Sequence, residues 1–121
     1  MPVIFQPENI QKILEGKKTQ TRRLGKYQLK VGRVYGIKDR WFAKATAYVR
    51  ITRRFKQRLG DISTEDLQKE GYRNIWEFQA AWIRMHKHWN PDAIVTVYEF
   101  KLDEGNGRIQ ARLSENLRMP L

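Results

Sequence analysis

Residues 17–58 carry fifteen Lys or Arg side chains against a single acid, Asp39. Cations do not enter a core unless they are paired. A fold for this chain must therefore lay most of that segment along an outer surface and draw its core from the flanks and from the apolar residues threaded through the block. The flanks do not cancel the charge. Residues 1–16 carry a net −1 and residues 59–121 a net −2, leaving +11 for the chain. Charge gathered into one stretch rather than spread evenly is the footprint of a polyphosphate partner such as nucleic acid.

The 121 residues, 40% of them hydrophobic, suffice for one compact domain over residues 1–121. Four Trp, five Tyr and five Phe need burial and argue against disorder. There is no cysteine, which removes disulfides, thiolate metal sites and cysteine nucleophiles. With His86 and His88 as the two imidazoles, no multi-histidine cage can form, and neither a metal nor another cofactor is expected. The apolar runs are too short for a membrane span or a secretory leader, so a cytoplasmic protein is expected, with no membrane partner. Nothing in the sequence sets an oligomeric state.

Along the chain, Pro7 and Glu8 open an amphipathic segment with Ile10, Ile13 and Leu14 at helical spacing, closed at Gly16. Residues 17–23 contain no apolar side chain, so they are expected to form a surface loop or an edge strand. Residues 30–33 make a turn into a strand at 34–38, where Gly36 marks a bulge or a close backbone approach. Residues 43–55 alternate, which predicts a long strand with Ala47, Val49, Ile51 and Arg53 on one face and Tyr48, Arg50, Thr52 and Arg54 on the other. Ser63 and Asp66 form a capping-box pattern for a short helix over 64–70 ending at Gly71. Asn74 and Glu77 cap a longer helix running through Phe78, Trp82, Met85 and Trp89 to Asn90-Pro91. Residues 93–102 read as a buried strand. Residues 103–107 are a turn, and 108–113 are expected to return as a last strand. Helices are segregated from hairpin-connected strands, which favours an α+β fold with a mostly antiparallel, barrel-like sheet. Phosphate-loop, dinucleotide, serine-hydrolase and zinc-protease signatures are absent.

The polar stretch has a chemistry of its own. Lys17, Lys18, Arg22 and Arg23 offer charge-assisted donors and Thr19 and Thr21 offer hydroxyls, the groups that phosphate or nucleobase recognition needs. Arg40 followed by Trp41 and Phe42 suits base stacking next to a cation, or a plug for one end of the barrel. Arg50, Arg53 and Arg54 extend the positive surface as phosphate contacts.

Three stretches resemble the ASCH domain family, a branch of the PUA-like β-barrels. The first runs from Ile13 and Leu14 through Gly16, Lys17, Lys18, Thr19, Gln20, Thr21, Arg22 and Arg23, similar to the family's helix-end glycine followed by K-T-x-T-x-R. The second is Leu29, Lys30, Val31, Gly32, Arg33, Val34 and Tyr35, with Arg33 where an acid is commoner. The third is Trp89, Asn90, Pro91 and Asp92 leading into Val95, Thr96, Val97, Tyr98, Glu99 and Phe100. The resemblance implies a mixed, mostly antiparallel PUA-like β-barrel with flanking helices, a cleft beside the Lys/Thr/Arg stretch, and binding of RNA or a modified nucleoside. One bacterial branch resembles metal-independent amidohydrolases acting on an acylated cytidine. In that alternative Thr21 is the nucleophile, Lys18 its base if crowding and desolvation keep it neutral, and Glu70 the proton carrier. A third reading is a protein-interaction module facing an acidic partner.

If residues 17–58 form one RNA-binding face, log affinity for a single strand should fall linearly with log salt, by about 0.7 per phosphate neutralised. Titration at several ionic strengths checks this, and a flat dependence would contradict it.

Overall fold

The computed structural model describes residues 2–25 and 28–103. In chain order the elements are β1 (Val3–Ile4), α1 (Pro7–Leu14), β2 (Gln20–Arg23), β3 (Val34–Lys38), β4 (Ala47–Arg58), a 3-10 turn at Leu59–Asp61, α2 (Thr64–Glu70), α3 (Ile75–His86) and β5 (Ile94–Leu102). The strands form one sheet in the order β1-β3-β4-β5-β2, with β1 parallel to β3 and the other pairs antiparallel. The two edge strands are drawn toward each other. Arg23, at the end of β2, donates through Nη2 to the Ile4 carbonyl of β1 at 2.7 Å. Its guanidinium also lies 4.6 Å from the Phe5 ring centroid. The sheet therefore curls into a half-barrel, and the α+β class with a mostly antiparallel curled sheet and flanking helices is the observed one. No helix among the described residues is long and apolar enough to cross a membrane.

Each face of the sheet buries its own cluster. Strand β5 serves both, sending Tyr98 and Phe100 into a cluster with Val3, Ile13, Ile37 and Ile51, and Val95 and Val97 into one with Leu59, Leu67, Phe78 and Trp82. Alternation along β5 thus does what period-two patterning requires of a strand buried on both sides.

Strand β4 departs from the sequence reading in two ways. It begins at Ala47 rather than 43. Residues 39–46 instead turn back on β3, with Thr46 N–H bonded to the Ile37 carbonyl at 2.8 Å. A Cβ on Gly36 would lie 3.0 Å from the Ala45 Cβ, which is the close approach that the glycine permits. The second departure is a bulge between Ile51 and Arg53. One extra residue reverses the facing of all that follow. Arg53 therefore pairs with Glu99 and shares a face with Phe55 and Val97, while Arg54 moves to the Tyr98 face.

The helices follow their caps. Ser63 and Asp66 form the full reciprocal capping box of α2, and Gly71 ends it at φ +92°. Asn74 Oδ1 accepts from the Glu77 N–H to start α3, as expected. That helix stops at Lys87, in the left-handed region, short of Asn90-Pro91. Trp89 lies beyond the helix yet still packs edge-on against Phe78, with ring centroids 6.0 Å apart. Within α3, Phe78 and Trp82 are buried while Trp76 and Met85 are exposed. The expected turn at 103–107 lies outside the described residues beyond Asp103, and the strand at 108–113 wholly so.

Gly71 is the backbone device that places the last residue of α2. A Cβ there would lie 3.0 Å from Lys12 Cδ in a conformation that L side chains rarely adopt. Gly71→Ala should cost about 1–2 kcal/mol. A urea titration checks this through a lower midpoint at unchanged slope.

Candidate functional site

The polar stretch after α1 is not a surface loop. Its backbone crosses the end of α2, where Thr19 N–H donates to the Lys69 carbonyl at 2.7 Å, and then joins the sheet as an edge strand beside β5. Lys18 is 3% exposed, Gln20 0%, Thr21 6% and Arg22 5%. An entirely polar segment can be buried this deeply because its groups find partners in one another and in α2. Lys18 Nζ donates to Glu70 Oε1 at 2.7 Å and to the Glu70 carbonyl at 3.1 Å. Arg22 Nη1 meets the other oxygen, Oε2, at 3.0 Å, so each oxygen of the carboxylate holds one cation. Arg22 also donates to Gln20 and Gln57 and pairs with Asp66 at 3.1 Å. Gln20 in turn donates to Asp66 at 3.3 Å and to Glu99 at 2.9 Å.

Burial pushes the Lys18 amine below its ordinary value. Glu70 opposes the shift, and the positive charges of Arg23 and Lys12 add to it. Burial raises Asp66, but hydrogen bonds from Ser63 and Gln20 and the charge of Arg22 outweigh this and hold it below the usual carboxylate range.

These residues wall a cleft of about 350 Å3, bounded by β1, the start of α1, β2, the end of α2 and α3. Lys18, Thr21, Arg22, Arg23 and Glu70 all line it, together with Tyr72, Phe78, Trp82 and His86. Burial and the nearby Glu70 raise the Tyr72 phenol, which stays protonated as a donor. Burial lowers His86, aided by His88 and Arg23, and its ring packs tilted against Trp82 at a centroid distance of 4.1 Å. The lining combines cationic and aromatic side chains, which suits a planar, acceptor-rich ring.

The remaining sequence candidates stand outside the cleft. Lys17 is exposed and 3.7 Å from Glu15. Thr19 contributes its backbone, accepting from Phe100 N–H at 3.0 Å. Arg40 is exposed beside Asp39, and Trp41 is 63% exposed. Phe42 is fully exposed as well, so neither aromatic plugs the barrel. Arg50 donates to the Gly32 carbonyl at 2.7 Å, Arg54 to the Leu29 carbonyl at 3.1 Å, and Arg53 lies over Phe55, 3.7 Å from Glu99. The bulge sets Arg53 and Arg54 on opposite faces of β4.

Sequence reasoning missed Asn9, Tyr72 and His86 as cleft residues. Asn9 had a signal: it lies four residues before Ile13, on the same buried helical stripe. Gln57 and Asp66 had none, since only the fold brings them to Arg22. Among the described residues no group of three or more His, Asp or Glu is arranged to hold a metal.

No family model matches the sequence, and no curated protein does. Solved structures do match. An ASCH domain from Lactobacillus crispatus JV V101 is 20% identical with a TM-score of 0.68, over 78% of this chain and 70% of that one. A DUF984 protein from Enterococcus faecalis V583 is also 20% identical, with a TM-score of 0.62 over 85% and 80% of the two chains. A ZmASCH variant from Zymomonas mobilis is 12% identical, with a TM-score of 0.60 over 82% and 66%.

Removing one member of a buried ion cluster leaves the others uncompensated. Arg22→Ala should lower unfolding stability by about 3–5 kcal/mol. Arg50→Ala, at an exposed pair, should cost at most about 1 kcal/mol. Denaturant unfolding of the two variants checks the contrast.

Proposed function

The chain has the ASCH-domain fold, and we propose that its cleft binds an acylated cytidine and hydrolyses the exocyclic amide, with Thr21 as nucleophile. The observation that carries this reading is the convergence of Lys18, Thr21 and Glu70 on one nucleoside-sized cleft. A diffuse RNA-binding face would not need a lysine buried against a carboxylate in the lining of a cleft that also holds a threonine.

The chemistry assigned to these groups balances. Neutral Lys18 takes the Thr21 hydroxyl proton as Oγ1 bonds to the amide carbonyl carbon. The positive charges of Lys18, once protonated, and of Arg23 stabilise the oxyanion that develops. The proton passes through the 2.7 Å Lys18–Glu70 contact to the exocyclic nitrogen, the C–N bond breaks, and cytidine leaves as the free amine. Water then attacks the acyl-threonine, giving a carboxylic acid and restoring the hydroxyl. Arg22, fixed by Gln57 and Asp66, acts as a positioning residue that holds the second oxygen of Glu70. Tyr72 and Trp82 supply faces for the pyrimidine. Arg40 and Trp41 follow Asp39 at the cleft mouth, so a substrate within an RNA strand would place its neighbouring nucleotides against a cation and an aromatic.

The protein should release acetate from N4-acetylcytidine. Thr21→Ala, Lys18→Met and Glu70→Gln should each lower kcat by at least about a hundredfold. Double variants should be barely worse than single ones, because the three act as a unit. Since the base form of Lys18 is the active one, kcat should rise with pH through a value below the ordinary lysine range. Binding without turnover, or full activity in Thr21→Ala, would return the protein to the class of nucleoside-binding modules.

A further inference from the structure

Asn9 is the third residue of α1 and is 8% exposed. Its Oδ1 is, among the described residues, the buried side-chain atom with no hydrogen-bond partner. An amide oxygen removed from water and left unpaired destabilises a protein, and an apolar side chain of similar size at the same place does not carry that penalty. The folded chain alone gives this amide oxygen no partner.

Its position says what is missing. Asn9 lines the cleft with Thr21, Lys18 and Glu70, and it also borders an adjoining cavity of about 440 Å3 edged by Glu8, Lys12 and Arg84. The buried charged groups of the cleft have their polarity fixed. Lys18 and Arg22 are donors, and both oxygens of Glu70 are already engaged by them. A cytosine ring presents O2 and N3 as acceptors, which suit that cationic wall. The donor beside the reacting carbon of an acylated cytidine is the exocyclic amide N–H, and it needs a buried acceptor close to Thr21. Building on the reading of the cleft given above, we propose that on binding the Asn9 carboxamide turns so that Oδ1, closed to water in the folded chain alone, accepts a hydrogen bond from this N–H and so selects substrates whose exocyclic nitrogen carries a hydrogen. A site built to pair with a particular donor discriminates strongly against the analogue that lacks it.

The test uses the full chain in a Thr21→Ala background, so that binding is measured without turnover, with N4-acetylcytidine and its N4-methyl derivative as probes. With Asn9 present, N4-methylation should weaken binding at least about tenfold. In Asn9→Leu the acetylcytidine should bind at least about tenfold more weakly, and the methylation penalty should disappear. Asn9→Asp, which keeps an acceptor in place, should retain the discrimination. The urea midpoint of ligand-free Asn9→Leu should equal or exceed that of the parent, an outcome that a purely structural asparagine would reverse. A lowered midpoint, or the same methylation penalty with and without Asn9, overturns the role of Asn9 while leaving the cleft reading standing. Failure of every variant, the parent included, to bind N4-acetylcytidine overturns the cleft reading and this inference together.

Discussion

The Glu70 carboxylate, held between Lys18 and Arg22, is the interaction on which the rest depends. Two cations and one anion taken out of water face a desolvation cost of several kcal/mol per ion. Such a cluster survives only when each lone pair and proton is met. Here Asp66 supplies a second negative charge to Arg22, and Gln20 and Gln57 complete its donor set. The polar stretch after α1 can therefore lie inside the protein, where its composition alone would place it outside. The same burial lowers the proton affinity of Lys18 in the lining of the cleft that Thr21 shares, and this is what the proposed hydrolysis would draw on.

The fold serves that cluster from three directions. The capping box at Ser63 and the left-handed Gly71 fix where α2 begins and ends, and its last residue is Glu70. Pairing of β2 with β5 sets which side chains of the polar stretch face α2 and which face the curl of the sheet. Arg23 ties the edge strand to β1 and closes the cleft on that side. Tyr72 and Trp82 complete it from the connection after α2 and from α3.

Much of this was legible in the sequence where local chemistry decides. The caps at Ser63 and Asn74, the terminating Gly71, the strand ending at Leu102 and the turn into Val34 all follow from side chains within a few residues of one another. Lys18, Thr21 and Glu70, grouped by a resemblance, line one cleft. Three things were not legible. The bulge after Ile51 has no compositional mark, because Thr52, Arg53 and Arg54 continue a plausible alternation. The burial of the stretch ending in β2 depends on Asp66, Glu70 and Glu99, more than forty residues away. The exposure of Trp41, Phe42 and Trp76 runs against the preference of aromatics for burial, and it follows from turns and helix facing that only the assembled fold defines.

The central claim is that Lys18 and Glu70 form one proton-sharing unit inside the cleft. Its most direct test is the titration of Lys18 by NMR of labelled lysine side chains, in the native chain and in Glu70→Gln. The expected result is a Lys18 resonance that titrates below the other lysines and moves lower still in Glu70→Gln, where the carboxylate that favours the charged form is gone. Lys18 titrating together with the surface lysines in both proteins would contradict it.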